Sequence, residues 1–185
     1  MERVEMKYYG IGMVLLGLTV SAVQADTWTV DDDGKADFNN IQAAIDAASD
    51  GDTINVAPGT YTHDTGEVVF MLGKNIILQS TVLHGAIIDG QGTRRGITCT
   101  QGEPASTLIS GFVIQNCHTG GGGGGFLISF SSPTISNCKI LNNSANTGGG
   151  VQAEYCNSTW IDCEFQGNSV NTDGGGAYFK NECDI

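Results

Sequence analysis

Three groups of residues in this chain have types and spacings that could do chemistry. Asp31-Asp32-Asp33-Gly34, with Asp37 close behind, offers clustered carboxylates of the kind that hold Ca²⁺. The segment lacks the glutamate and the spacing of an EF-hand loop, so it reads as a solvated acidic loop; Ca²⁺ is the only cofactor it raises. Asp89, Arg94 and Arg95 put a base near cations, the pairing that proton abstraction beside a uronate carboxylate needs. Nothing else in the sequence converges on them, and a turn carrying solvated charges is the simpler reading. His63, His84 and His118 fall at no metal-ligand spacing and read as surface residues. No catalytic, cofactor-binding or metal-ligating residue is assigned on these grounds.

The elements that must carry these residues begin with an export leader. Arg3 and Lys7 precede an apolar run from Gly10 to Val20, and Ser21-Ala22-Val23-Gln24-Ala25 supplies small residues for cleavage after Ala25. Met6 would open an equally good leader. The run is too short to cross a bilayer and no later segment approaches the roughly 20 apolar residues a span needs. A mature chain from Asp26 to Ile185, outside the cytoplasm and without a transmembrane helix, is expected. The whole chain carries a formal charge of -12, and the acids Glu2 and Glu5 cancel Arg3 and Lys7, so residues 26–185 keep all of it. That charge disfavours nucleic acid and anionic membranes as partners. With 40% hydrophobic residues the chain can build a core, and its 27 glycines, without a Gly-X-Y period, must serve turns.

Residues 26–52 read as an N-terminal cap. Phe38, Ile41, Ile45 and Ala48 lie on one helical face, with Asn39 placed to cap, Gln42 three residues later and Gly51 as the stop. Thr53 to Val56 then reads as a strand running into a Pro-Gly turn. Downstream the pattern becomes a repeat. Ile109–Asn116 (ISGFVIQN), Ile135–Asn142 (ISNCKILN) and Trp160–Gly167 (WIDCEFQG) align at offsets of 26 and 25 residues. Phe126–Phe130, Val151–Tyr155 and Ala177–Asn181 align at 25 and 26, each behind a glycine run. Periods of this size indicate a solenoid, here an all-β, right-handed parallel β-helix over residues 53–185 with a short N-terminal capping helix.

Each coil is expected to hold two strands and a glycine corner, and about five coils fit after Thr53. Alternation predicts inner stacks of Phe112, Cys138 and Cys163, of Ile114, Ile140 and Phe165, and of Ile128, Ala153 and Phe179. Val113, Lys139 and Glu164 should point outward, with opposite charges on neighbouring coils. The glycine runs suit positive φ, and the asparagines at 116, 142/143 and 168 suit a second left-handed bend.

Six cysteines in an exported chain allow 15 pairings if all of them bond. Cys138 and Cys163, on adjacent coils, would sit about 4.8 Å apart, within disulfide reach. A reduced stack filling the core like a small hydrophobe is the alternative, and the sequence leaves both open. Asn142-Asn143-Ser144 and Asn157-Ser158-Thr159 match the glycosylation pattern, which has meaning only on a eukaryotic secretory route.

Phe38 to Tyr61, FNNIQAAIDAASDGDTINVAPGTY, resembles the helical cap and first coil of pectin-lyase-like β-helix proteins, a superfamily that includes pectate lyases and pectin esterases. Phe165-Gln166-Gly167-Asn168 followed by Gly175-Gly176-Ala177 is similar to the paired FxxN and GGA repeat of chlamydial polymorphic outer membrane proteins. Ile140-Leu141-Asn142-Asn143 with Gly148-Gly149-Gly150-Val151 is a looser copy. The first resemblance implies fold. It carries no catalytic set, because the acid, base and metal positions of those enzymes lie on later coils. The chain stops partway through a coil, at Cys183-Asp184-Ile185, and is expected to be a fragment truncated at its C-terminus.

Two functional classes follow. One is a secreted or cell-surface repeat protein, a non-catalytic structural or adhesin-type scaffold whose solenoid face meets a polysaccharide or another cell-surface ligand. The other is the N-terminal part of a polysaccharide lyase or pectin-esterase-like enzyme.

Overall fold

A computed structural model of the chain describes residues 24–171, 173–181 and 183. The proposed leader lies almost wholly outside the described residues.

Among the described residues eighteen short strands and one helix follow one another, and every strand pairing is parallel. The first sheet is built from β1 (Thr27–Val30), β2 (Thr53–Val56), β5 (Ile77–Ser80), β8 (Leu108–Ser110), β11 (Thr134–Ser136) and β15 (Thr159–Ile161). The second holds β3 (Gly59–Tyr61), β6 (Ala86–Asp89), β9 (Val113–Gln115), β12 (Lys139–Leu141) and β16 (Glu164–Gln166). The third holds β4 (Val69–Phe70), β7 (Ile97–Cys99), β10 (Phe126–Ser129), β14 (Val151–Glu154) and β18 (Ala177–Lys180). A two-stranded ladder, β13 (Ser144–Ala145) with β17 (Ser169–Val170), fills the corner between second and third sheets. The molecule is a parallel β-helix.

Each full coil holds three main strands rather than the two expected, because the segment ISGFVIQN is two strands split at Gly111. From Thr53 on the first sheet has the five rungs expected, and β1, inside the cap, adds a sixth by pairing with β2.

The helix α1 spans Ile41–Ala47 and buries Ile41, Ala44 and Ile45 against the first rungs. Its cap is Asn40, whose side chain accepts from Ala43 N at 2.8 Å, rather than Asn39, which accepts from the Asn40 amide at 3.0 Å. Both residues can cap, and the need to aim Ile41 and Ile45 inward decides between them. The helix ends at Ala48, and Gly51, with φ +94, serves the turn before β2 instead of the stop. Gln42 does not return to the cap. Its side chain accepts from Phe70 N at 2.8 Å and donates to Phe70 O at 3.1 Å, so it pairs like a strand with the first rung of the third sheet. Lys74 Nζ donates to the carbonyls of Ile45, Asp46 and Ala48, closing the helix C-terminus onto the solenoid.

Hydrophobic burial along the axis holds the coils together. Ile54, Leu78, Ile109 and Ile135 stack in the first sheet, Ile88, Ile114 and Ile140 in the second, and Phe126 and Val151 in the third, all fully buried. Each such side chain contributes about 1.5–3 kcal/mol by leaving water. The three predicted inner stacks are in register, Ile114 with Ile140 with Phe165 and Ile128 with Ala153 with Phe179 by direct pairing. On the last coil Phe165 is 38 % exposed. Outside, Lys139 Nζ meets Glu164 at 3.0 Å as expected. Val113, flanked by Ile87 and Lys139, is nonetheless buried.

Left-handed residues turn each coil at four recurring places: Gly111, Asn137 and Asp162; Asn116, Asn142 and Gly167; Gly123, Gly148 and Gly174; Phe130, Tyr155 and Asn181. The second set corrects the expected asparagine bend, whose third member is Gly167, not Asn168. Asn143 and Asn168 do something else. Asn143 is fully buried; its Oδ1 accepts from Cys117 N at 2.9 Å and its Nδ2 donates to Ile114 O at 3.0 Å and Asn168 Oδ1 at 3.1 Å. Asn168 repeats the pattern one coil on, accepting from Asn143 N and donating to Ile140 O. At the glycine corner close approach is needed as well as turning: a Cβ on Gly125 would lie 2.6 Å from Gly150 O.

Candidate functional site

The turn between β6 and β7 carries Arg94 and Arg95 beside His118, which follows β9 one coil further on. These residues line a polar groove of about 280 Å³ together with Glu67 and Thr119. His118 N donates to Arg94 O at 2.8 Å, so the two side chains issue from hydrogen-bonded neighbours on adjacent coils. Arg95 is committed to the fold: Nε donates to Gly123 O at 2.9 Å, Nη2 to Gly122 O at 3.0 Å, and Nη1 pairs with Glu67 at 3.4 Å. Burial pushes this guanidinium below its ordinary value, and Glu67 pulls it back. Glu67 also accepts from Thr98 Oγ1 at 3.2 Å. Arg94 donates to Asp64 O at 2.6 Å and to Thr93 Oγ1 at 3.2 Å, and His118 Nδ1 meets Ser144 Oγ at 2.9 Å. The groove presents cations, hydroxyls and peptide groups, a lining suited to an anionic or hydroxyl-rich ligand.

Asp89 does not join the arginines. Its oxygens accept from Gln91 N at 2.7 Å and, across the coil, from Gln115 Nε2 and Asn116 Nδ2 at 3.0 Å each. A carboxylate held by three donors on the outer face of the second sheet is a rung of a polar ladder, and the imagined acid–base pair is not assembled.

The acidic loop is likewise dispersed among separate partners. Asp31 accepts from Asp33 N at 3.2 Å, Asp32 from Thr60 N at 3.2 Å, and Asp37 from Thr29 N at 2.9 Å and Thr29 Oγ1 at 2.7 Å, while Asp33 pairs with Lys35. The hydrogen bond from Lys35 lowers Asp33, and those from Thr29 lower Asp37. Among the described residues no group of three or more His, Cys, Asp and Glu side chains is placed to hold a metal ion. The histidines stay apart: His63 sits by Thr65 O, and His84 Nε2 meets Asn137 O at 2.9 Å.

Two buried carboxylates escaped the sequence reading. Glu103 is 1% exposed and accepts from Gly73 N at 2.8 Å, Gln101 N at 3.0 Å and Ser131 Oγ at 2.6 Å, tying three consecutive coils. Asp52 accepts from Ser49 N at 2.8 Å, Asp26 N at 2.7 Å and Trp28 Nε1 at 3.0 Å, anchoring β1 to the cap. The Ser49 N–H foremost, then the other two donors, keep Asp52 below the ordinary carboxylate value against the opposing effect of burial. Neither has a sequence signature, since a lone acid between polar neighbours looks like surface.

All six cysteines carry free thiols. Cys99, Cys117, Cys138 and Cys156 are buried, and Cys163 and Cys183 are partly exposed. No helix among the described residues is long and apolar enough to cross a membrane. No family model, no curated protein and no solved structure matches this chain.

Proposed function

We propose that the chain is a non-catalytic scaffold of an exported or cell-surface β-helix protein, and that its solenoid face binds a polysaccharide. The observation that carries this reading is the in-register repetition of outward polar side chains on flat parallel sheets. Gln79 Nε2 donates to Asn55 Oδ1 at 2.8 Å, Ser136 Oγ to Ser110 Oγ at 2.9 Å, and Gln115 to Asp89. Polar side chains recurring from coil to coil, about 4.8 Å apart, offer a column of donors and acceptors to an extended polymer of repeating units. The groove lined by Arg94, Arg95, His118 and Glu67 adds arginine donors to an otherwise acidic chain. The leader-like N-terminus supports export, and the resemblances to pectin-lyase-like and polymorphic outer membrane proteins agree with a cell-surface setting.

The test is to pass the full-length protein over immobilised polysaccharides, polygalacturonate among them, with Ca²⁺ present, while monitoring the eluate for unsaturated products. Retention without products is expected. Unsaturated products would overturn the non-catalytic part of the proposal, and failure to be retained by any polysaccharide would overturn the ligand.

A further inference from the structure

Cys138 and Cys163 occupy equivalent places on neighbouring coils. Each immediately precedes a residue of the pair Lys139–Glu164, and Glu164 N donates to Cys138 O at 2.9 Å, so the two cysteines stand one above the other. Their sulfurs point the same way: Cys138 Sγ lies 3.3 Å from Ser136 O and 3.8 Å from Ile109 O, and Cys163 Sγ lies 3.4 Å from Ile161 O and 3.7 Å from Ile135 O. The two thiols lie close enough to shift each other's titration. Parallel neighbours in register have Cα atoms about 4.8 Å apart, inside the roughly 4.4–6.8 Å window of a disulfide.

We propose that Cys138 and Cys163 are a redox-active pair, which a small disulfide oxidant converts into an inter-coil disulfide that clasps the last described coil to the one before it. The division of labour follows from burial. Cys163 is partly exposed and can meet the oxidant; Cys138 is fully buried and can meet only Cys163. Proximity to the Cys138 thiol lowers Cys163 below the ordinary cysteine value against the opposing effect of burial, and the same proximity raises Cys138.

The Cys163 thiolate attacks one sulfur of the oxidant's S–S bond, forming a mixed disulfide and releasing one thiolate. Cys138 then attacks the Cys163 sulfur, passing its proton to the departing oxidant thiolate there, so that Cys138–Cys163 forms and the second oxidant half leaves as a thiol. Two cysteine thiols are oxidised by two electrons and one oxidant disulfide is reduced to two thiols. Cys156 and Cys183 are neighbours across the same two coils, but burial foremost pushes Cys183 up to about 11, so this pair oxidises later. The inference is independent of export, because the oxidant is supplied in the test.

The test uses the reduced full-length protein with oxidised glutathione at pH 7.5, quenched with N-ethylmaleimide and mapped without reduction after chymotrypsin digestion; cleavage at Phe112, Phe126, Phe130, Tyr155, Trp160 and Phe165 puts each of the six cysteines on its own peptide. Cys138–Cys163 is expected as the first cross-link, forming at least about tenfold faster than in urea-unfolded chain. Cys138→Ser should leave glutathione on Cys163, and Cys163→Ser should leave Cys138 unmodified. A first cross-link involving other cysteines, equal rates in folded and unfolded chain, or no glutathione held in the Cys138→Ser protein would each overturn the proposal.

Discussion

Replacing Asn143 by alanine isolates what the buried asparagine ladder contributes. Asn143 is fully buried; it accepts from Cys117 N at 2.9 Å and donates to Ile114 O at 3.0 Å. Its loss leaves Cys117 N without an acceptor at about 1–3 kcal/mol and takes one donor from Ile114 O at about 0.5–1.5 kcal/mol, and it opens a void where the amide stood. The sum for Asn143→Ala is about 3–5 kcal/mol. With a denaturant slope of about 2 kcal/mol per molar urea, the unfolding midpoint should fall by roughly 1.5–2.5 M, read by circular dichroism. Asn142→Gly is the control, because Asn142 sits exposed at φ +54, a conformation glycine adopts freely; its midpoint should move by less than about 0.5 M. A drop below about 0.5 M for Asn143→Ala, or equal drops for both variants, would refute the assignment of the ladder to Asn143 and return the Asn-Asn pair to a turn signal alone.

Other perturbations test separate joints of the structure. Gly125→Ala puts a Cβ 2.6 Å from Gly150 O and 3.0 Å from Ile140 Cγ2, so it should cost about 1–3 kcal/mol by chemical denaturation. Glu103→Ala strands Gly73 N and Gln101 N, and should destabilise by about 3 kcal/mol in the same assay. Because Asp52 titrates below its unfolded value, its stabilisation is full above about pH 4 and lost as pH falls through the folded value. Asp52→Asn should therefore be less stable than the parent at pH 7, with the gap closing towards pH 2 in a pH series of melts. Lys139→Ala removes an ion pair between half-exposed partners and should cost under about 1 kcal/mol, less again in 1 M salt.

Period-two alternation and the 25–26-residue offset made the register legible, and they placed Ile140 between Ile114 and Phe165 and Lys139 beside Glu164. The split of each long apolar segment was hidden. Ile109 and Phe112 are both buried although three residues apart, because the left-handed residue 111 resets which side of the strand faces in. The earlier coils were hidden by uneven loops: Ile77 pairs with Leu108 at 31 residues and Val69 with Ile97 at 28, so no fixed period could reveal them. Phe130 and Tyr155 at corners defied propensity, since a bulky residue at positive φ costs about 1–2 kcal/mol; their exposed rings stack at 4.9 Å, which offsets part of it. At the candidate site the sequence brought forward Arg94 and Arg95, but only the fold could separate them from Asp89 and bring His118 alongside.

Those uneven loops bear on how the chain reaches its folded state. Nearly every non-local contact joins one rung to the next, so each rung closes a loop of similar length onto the one already formed, and assembly can advance as a zipper. Lengthening one loop from 25 residues, as between Lys139 and Glu164, to 31, as between Ile77 and Leu108, adds only about 0.2 kcal/mol of closure entropy. A one-residue slip inside a strand would instead turn every inward side chain outward. Insertions and deletions are therefore nearly free at the corners and prohibitive between them, which makes the corners the places where such a chain can acquire new length without relearning how to fold.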